Sequence, residues 1–406
     1  MTSPQEDRQV AYLDHAATTP MLPEAVAAMA EQLGRLGNPS SLHASGRAAR
    51  RVVEESRETV AGALGARPSE VVFTSGGTES DNLAIKGIYW ARRAADDRRR
   101  RILASAVEHH SVIDPLQWLA AEQGAELEIV PVDGDGRLDV AALRASLEGN
   151  PDDVALICLM WANNEVGTVQ PVAEVAELAR EYAIPLHTDA VQAIGALPVD
   201  FAAVGVDAMS VSGHKVGGPF GVGALVVGRD LSVVPLLHGG GQERDIRSGT
   251  IDTPAVAAFA TAVELAVKLQ PEAASTLAGL RDDLVHRVLA AVPDAELNGA
   301  PVGAVEDRLP GNAHFSFPGC EGDSLLMLLD ANGVECSTGS ACSAGVPRAS
   351  HVLLAMGSSE SRARGSLRFS FGHTSRAADV DTAVAAIGPA VERARAAGLS
   401  SPVEGR

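Results

Sequence analysis

A lysine among small residues offers the clearest capacity for chemistry in this sequence. Lys215 stands in the segment SGHKVGGPFGVG, which follows the short apolar run AMSV. A lysine held in a desolvated pocket has a lowered pKa, and its neutral amine can attack an aldehyde to form an imine. Its neighbour Ser212 carries a small hydroxyl donor, and His214 stands directly before Lys215 in the chain. We therefore predict that Lys215 is a nucleophile and not a solvated surface charge.

Further polar side chains stand where other predicted strands end. His109 follows RILASAVE, Asn164 lies just after VALICLMWA, and Asp189 and Gln192 close the segment IPLHTDAVQ. A buried carboxylate such as Asp189 needs a cationic or proton-donating partner. Each of these residues alone more often caps an element or packs in a core, but the set in this order favours one shared site.

A glycine turn after another predicted strand is suited to an anion. The run EVVFTS leads into SGGTESDN, where Gly77 precedes a predicted helix that begins at Thr78. Glycine lets the backbone approach an anion closely, and a helix N-terminus offers unpaired N–H groups. Such a turn alone is common, so it is a weak indication of a phosphate site.

The polar groups make sense together as the site of an aldehyde cofactor. A cofactor with a pyridine ring and a phosphate requires an amine for the imine, a carboxylate near the ring nitrogen and an imidazole over the ring. Lys215, Asp189 and His109 would fill these roles. Small donors for the phosphate would be Thr78 and Ser212.

The elements that must position these side chains alternate regularly. From about residue 48, helical patterns alternate with short apolar runs such as VALICLM. This rhythm predicts βαβ units and a mostly parallel sheet covered by helices on both faces, with ligands beyond the carboxyl ends of its strands. After about residue 255 a long helical stretch leads into a sparser pattern, which predicts a smaller α+β unit.

Composition narrows the class of protein. The 406 residues carry a formal net charge of -19, which argues against binding a nucleic-acid backbone through charge alone. The sequence shows neither a secretory signal at its start nor an apolar run long enough for a membrane helix. Four scattered cysteines form neither a disulfide framework nor a zinc motif. We expect a cytoplasmic protein with no metal site and no direct contact with nucleic acid or membrane.

Beyond these derivations, the chain resembles a known family. From about residue 11 to about residue 375 it closely resembles the cysteine desulfurases, pyridoxal-phosphate enzymes of fold type I that serve nitrogenase and iron–sulfur cluster assembly. The segments that carry the resemblance are YLDHAATTP, GNPSSLH, FTSGGTESDNLAIKG, ANNEVGTVQP, HTDAVQAIG, SGHKVGGPFGVGAL, RSGT, STGSACSAG, SHVLLAMG and RFSFGHTS.

The resemblance implies a role for each matching residue. Lys215 would hold pyridoxal phosphate as a Schiff base, Asp189 would keep the pyridine nitrogen protonated, and His109 would stack on the ring and assist proton transfers. His109 rather than His110 takes this role because it follows Glu108 in the family-like EH pair. The remaining implied cofactor ligands are Gly77, Thr78, Asn164, Gln192, Ser212 and His214.

Three further implied residues concern the substrate and the partner subunit. Thr250 of RSGT would reach the phosphate in the other subunit, which implies a homodimer. Asn38 and Arg368 would hold the substrate carboxylate, Arg368 through a bidentate pair. The resemblance also implies a large cofactor-binding domain over 17–260 and a small α+β domain formed by 1–16 and 261–406.

Cys342, in STGSACSAG, matches the catalytic cysteine of the family. It would take the sulfur of L-cysteine as a persulfide and leave L-alanine, and a loop of small residues would let it present the sulfur elsewhere. Sulfur acceptors would be an iron–sulfur scaffold protein or a tRNA-thiolation system. The segment after Cys342 keeps the length of the long-loop branch.

The other cysteines and several rival activities remain open at this point. Cys336 is most simply a small buried residue, with a resolving thiol as the alternative, while Cys158 should be inert and Cys320 should lie in a turn. A selenocysteine lyase on the same fold would use the same cofactor residues. An aminotransferase or kynureninase-like enzyme would have no evident use for Cys342, and a non-catalytic scaffold would not need the intact lysine.

Overall fold

A computed structural model describes residues 10–303, 306–339 and 349–400 of the chain. Cys342 lies outside these residues. The strands are β1 (Ala11–Tyr12), β2 (Val71–Thr74), β3 (Arg101–Ser105), β4 (Glu126–Val130), β5 (Val154–Cys158), β6 (Leu186–Asp189), β7 (Ala208–Ser212), β8 (Gly223–Val227), β9 (Glu296–Asn298), β10 (Asn312–Ser316), β11 (Val334–Glu335) and β12 (Ser366–Ser370). The helices are α1 (Pro23–Leu33), α2 (Ala44–Ala63), α3 (Gly77–Ala95), α4 (His110–Gln123), α5 (Val140–Gly149), α6 (Val172–Glu181), α7 (Phe201–Val204), α8 (Thr253–Ala291), α9 (Gly322–Asp330), α10 (His351–Ala355), α11 (Glu360–Arg364) and α12 (Ala377–Ser400).

A seven-stranded sheet forms the larger part of the fold, in the order β2-β8-β7-β6-β5-β3-β4. Every strand is parallel to the others except β8, which pairs antiparallel with both β2 and β7. The mostly parallel sheet predicted from the sequence is therefore confirmed, and it has seven strands. The carboxyl ends of β6 and β7, where Asp189 and the segment before Lys215 lie, are adjacent because these two strands pair directly.

Apolar side chains cover both faces of this sheet. Val71 and Phe73 of β2 join the core beneath α1, α2 and α8, whereas Val72 joins the core beneath α3 and α4. Strand β5 is buried along its whole length, as expected of a central parallel strand. Burial on both faces fixes the sheet and thereby the positions of the residues that follow its strands.

A second core belongs to a smaller α+β unit. The antiparallel sheet β12-β10-β9 packs with α9, α12 and the C-terminal part of α8, and the core they share includes Leu13 near the N-terminus. The N-terminal part of α8 belongs instead to the core of the large sheet, so this one helix joins both units. The domain boundary predicted at 260/261 falls inside α8, and the two-domain division stays a prediction. Among the described residues, no helix is long and apolar enough to cross a membrane.

Candidate active site

A cavity of about 370 Å³ lies at the carboxyl ends of the parallel strands. It also receives side chains from the smaller unit, so its walls come from both cores. Ten of the residues singled out in the sequence line it: Gly77, Thr78, His109, Asn164, Asp189, Gln192, Ser212, His214, Lys215 and Arg368.

Lys215 ends a short 3-10 turn directly after β7, which carries its amine into this cavity. Its Nζ donates hydrogen bonds to the carbonyl oxygens of Ala16 at 2.6 Å and Ala17 at 2.8 Å. Burial, followed by the positive charge of Arg368, lowers the pKa of Lys215 to about 8, although Asp189 opposes the shift. With this pKa, roughly a tenth of the amine is neutral at pH 7, and imine formation requires that neutral form.

Asp189 closes β6, and its carboxylate faces the same cavity. Its Oδ1 accepts a hydrogen bond from the backbone N–H of Val191 at 2.9 Å. Burial raises the pKa of Asp189 well above its usual range, and the nearby carboxylate of Asp81 adds to this, while Lys215 opposes it. A buried carboxyl group of this kind would be stabilised in its charged form by a protonated ring nitrogen, so the residue fits a pyridinium partner.

His109 is the N-cap of α4, and this fixes its imidazole at the wall of the cavity. Its Nδ1 lies 2.7 Å from Oγ of Ser111. Burial lowers the pKa of His109, which keeps the imidazole neutral. The adjacent His110 also reaches the cavity, but its ring is half exposed and lies 3.1 Å from the carboxylate of Asp114.

The end of the cavity near α3 has the features of a phosphate site. Gly76 has a φ of 143°, a conformation that side chains rarely adopt, and it precedes the 19-residue helix α3. A Cβ placed on Gly77 would lie 3.0 Å from a methyl group of Val191, so glycine keeps this space open. The first turn of α3 directs unpaired N–H groups outwards, and Ser212 and His214 add side-chain donors.

Arg368, on β12 of the smaller unit, closes the cavity from the other side. Its Nη2 donates to Oδ1 of Asp14 at 2.7 Å, and its Nη1 donates to the backbone carbonyl of Asn164 at 2.9 Å. Its Nε is buried and has no hydrogen-bond partner among the described residues. A partly unsatisfied guanidinium is suited to an incoming carboxylate. Asp14 stands in the segment YLDHAATTP, but its pairing with Arg368 was not predicted from the sequence.

Two predicted site residues lie elsewhere in the single chain. Asn38 and Thr250 are exposed and line a separate cavity of about 520 Å³ beside α2 and the start of α8. Oδ1 of Asn38 accepts a hydrogen bond from the backbone N–H of Ser40 at 2.9 Å, so its side chain stabilises a local turn. Within one chain, Asn38 and Arg368 therefore line different cavities, and the carboxylate clamp stays a prediction.

The three cysteines in the described part of the chain are buried and free. Burial raises the pKa of Cys336 to about 12, with a contribution from Asp14, so its thiol is protonated at neutral pH. It belongs to the core of the smaller unit, which favours the packing role over a resolving thiol. Cys158 is fully buried at the end of β5, where burial raises its pKa well above the usual range, and Cys320 is buried after a turn.

Comparison with known proteins decides the family. A profile described as aminotransferase class-V matches residues 11–383. An "IscS-like cysteine desulfurase" of Mycobacterium tuberculosis is 59% identical over 392 residues, which cover 97% of this chain and 99% of the relative. The chain belongs to the cysteine desulfurases of the class-V aminotransferase family. A "Cysteine desulfurase IscS" of Methanosarcina thermophila is 42% identical over 401 residues, covering 98% and 96% of the two chains.

Solved structures agree with this membership. A "NifS-like protein" superimposes with a TM-score of 0.85 at 34% identity and covers 95% of this chain and 100% of its own. DndA from Streptomyces lividans gives a TM-score of 0.73 at 36% identity, covering 88% and 99%. Enzymes of the family use pyridoxal phosphate, and the amine, carboxylate, imidazole and helix N-terminus of the cavity fit that cofactor.

Proposed function

We propose that this family member removes sulfur from L-cysteine, with pyridoxal phosphate on Lys215 and Cys342 as the first sulfur acceptor. The observation that carries the proposal is the convergence of Lys215, Asp189 and Arg368 on one cavity. An amine, a buried carboxylate and a guanidinium at these positions match an amino-acid substrate that reacts through an aldehyde cofactor.

The residues of the cavity divide the work. When bound, the cofactor supplies an electron sink that lowers the barrier to removing the α-proton of an amino acid. Lys215 can accept that proton once its amine is released, because burial keeps its pKa near 8. Arg368 binds the substrate carboxylate and thereby orients the α-carbon towards Lys215. Asp189 holds the ring nitrogen, and His109 covers the ring.

The sulfur step is assigned to Cys342 on the resemblance of STGSACSAG, because this residue lies outside the described part of the chain. Its thiolate would attack the sulfur of the substrate and form an S–S bond. The Cβ–S bond of the substrate would break, with its electron pair remaining on carbon. Protonation of that carbon and return of the α-proton from Lys215 give L-alanine. The enzyme keeps the persulfide, so no external oxidant or reductant is needed.

A homodimer is part of the proposal. Asn38 and Thr250 share a cavity remote from Lys215, and Leu33 and Leu36 beside it are strongly exposed. Apolar side chains at such a rim are suited to a protein partner. A second copy seated there would let Thr250 reach the other subunit's phosphate. We further propose that the enzyme acts in the cytoplasm and passes its sulfur to a scaffold protein or to tRNA thiolation.

Intact-mass spectrometry without reductant tests the chemistry. After addition of L-cysteine, a one-sulfur adduct should map to the Cys342 peptide, and L-alanine should accumulate. Cys342→Ser is the key variant, with Cys158→Ser as the matched control that should retain the adduct. Alanine formation at the normal rate in Cys342→Ser would contradict the persulfide route. It would favour direct release of the substrate's sulfur, as in a lyase. No alanine from the unmodified enzyme would remove the proposal altogether.

A further inference from the structure

The imidazole of His109 has two competing hydrogen-bond partners at the same ring nitrogen. Its Nδ1 lies 2.7 Å from Oγ of Ser111 and 3.1 Å from the backbone nitrogen of Ser111. The backbone N–H can only donate, so it requires a lone pair on Nδ1. The hydroxyl can donate or accept, so it is compatible with either tautomer. Whether Nδ1 carries a proton therefore depends on whether the hydroxyl of Ser111 donates to it or accepts from it.

A buried carboxylate settles the direction of that hydroxyl. Oγ of Ser111 lies 2.5 Å from Oδ2 of Asp81, which stands on α3 and is almost completely buried. A carboxylate can only accept, so the one hydroxyl proton of Ser111 must point at Asp81. The remaining lone pairs of the hydroxyl are left to accept from Nδ1 of His109. This arrangement requires a proton on Nδ1. The backbone N–H of Ser111, 3.1 Å away, then has no acceptor at that ring nitrogen.

The second oxygen of Asp81 lies beside a buried imidazole but, among the described residues, has no hydrogen-bond partner. Its Oδ1 lies 3.4 Å from Nε2 of His187, and that ring nitrogen lies 3.0 Å from Oγ of Ser210. Both Asp81 and His187 are almost fully buried between α3 and the sheet. Neither group has a role in binding the cofactor as described above, so this buried chain needs another explanation.

We propose that Asp81 and Ser111 are positioning residues that fix neutral His109 in the tautomer with its proton on Nδ1. Nε2 is then left as a hydrogen-bond acceptor and proton acceptor at the wall of the cavity. The titratable groups around the imidazole are Asp81, Lys215, His110 and His351, and burial lowers the pKa of His109. The consequence for catalysis rests on the proposed function: an acceptor at this position can take a proton from a thiol or ammonium group of the substrate.

Nitrogen NMR of the holoenzyme tests the tautomer directly. Protein labelled with ¹⁵N and ¹³C in histidine, studied by magic-angle spinning, should show His109 with a protonated Nδ1 and an unprotonated Nε2. The spectrum of His109→Asn identifies the signal. A His109 protonated only on Nε2, or on both nitrogens at neutral pH, would overturn the proposal without any further variant.

Substitutions of the two positioning residues should move the proton. In Ser111→Ala, only the backbone N–H remains near Nδ1, so the proton should shift to Nε2. In Asp81→Ala, the hydroxyl of Ser111 is released to donate to Nδ1, which should give the same shift. Ser111→Thr keeps the hydroxyl and should keep the original tautomer. An unchanged tautomer in both alanine variants would contradict the positioning role of Asp81 and Ser111.

Turnover separates this proposal from the proposed function. Alanine production should fall roughly tenfold to a hundredfold in Ser111→Ala at unchanged cofactor content, with recovery in Ser111→Thr. If no variant and no unmodified enzyme produces alanine, the desulfurase proposal fails while the tautomer result stands. If the tautomer shifts but turnover is unaffected, Asp81 and Ser111 do place the proton on His109. That placement then has no role in catalysis.

Discussion

The cavity at Lys215 and the cavity at Thr250 differ in how they are built. The first is lined by residues that follow buried strands, and it is assembled within one chain. The second lies at the surface between α2 and the start of α8, with exposed polar residues at its rim. The sheet core thus gathers the residues proposed to hold the cofactor within one chain, whereas Asn38 and Thr250 lie apart from them and would act on the other subunit in the proposed homodimer.

Removal of the Lys215 amine should have the largest effect, and that effect should be confined to the first cavity. We expect Lys215→Ala to lose the visible absorption of the cofactor–lysine imine and to reduce turnover by roughly 10²–10⁴-fold or more. Lys268→Ala, at an exposed position of α8, is the matched control and should behave as the unmodified enzyme. Absorption spectroscopy and an alanine assay measure both effects. A normal spectrum in Lys215→Ala would refute the lysine assignment.

Loss of the guanidinium should affect the substrate more than the cofactor. We expect Arg368→Ala to raise KM for cysteine by about 10- to 100-fold, since hydrogen bonds to charged groups contribute roughly 1.5–3 kcal/mol. Cofactor content should stay the same. Arg364→Ala removes an exposed arginine that pairs with Glu360 and serves as the control. An unchanged KM in Arg368→Ala would show that the carboxylate binds elsewhere.

The pH dependence of cofactor uptake sharpens the role of burial around Lys215. Only the neutral amine attacks an aldehyde, so uptake by the apoenzyme should rise with pH and level off above the pKa of about 8. Because the charge of Arg368 helps to lower this pKa, Arg368→Ala should move the midpoint to higher pH. Stopped-flow absorbance follows the reaction. A midpoint near the ordinary lysine pKa of about 10.4 in the unmodified protein would contradict a desolvated amine.

The smallest effect concerns the second cavity, and mixed dimers reveal it. In a dimer of one Lys215→Ala subunit and one intact subunit, Thr250→Ala in the Lys215→Ala subunit should weaken cofactor binding at the intact site. We expect a loss of roughly 2- to 10-fold, because the phosphate keeps its other hydrogen-bond donors when one hydroxyl is removed. The same substitution in the intact subunit should leave that site unchanged. Equal effects from both placements would show that Thr250 acts within its own chain or only through stability.

The sequence was informative wherever a residue directly follows a buried strand. Asp189 and Lys215 could be placed together because each stands at the end of a predicted strand, and the carboxyl ends of β6 and β7 meet at one edge of the sheet. Local signals were weaker. Helix α4 begins at His110, after the N-cap His109, although Pro115 within it is of a type common in a first helical turn.

Long-range contacts lay beyond what sequence patterns can predict. Asp14 pairs with Arg368 across 354 positions of the chain, and no periodicity links two such residues. The antiparallel direction of β8 likewise depends on pairing, not on composition. Asn38 was placed beside Arg368 by resemblance alone, and within one chain it lies in another cavity.

Borohydride reduction of the holoenzyme is the most direct test of whether Lys215 forms the imine with pyridoxal phosphate. Reduction fixes the imine as a stable pyridoxyl group, and peptide mapping by mass spectrometry then locates it. We expect a single modified peptide that contains Lys215, with Lys86 and Lys268 unmodified. A pyridoxyl group on any other lysine, or none on a yellow protein, would contradict the assignment of Lys215 and with it the active site described above.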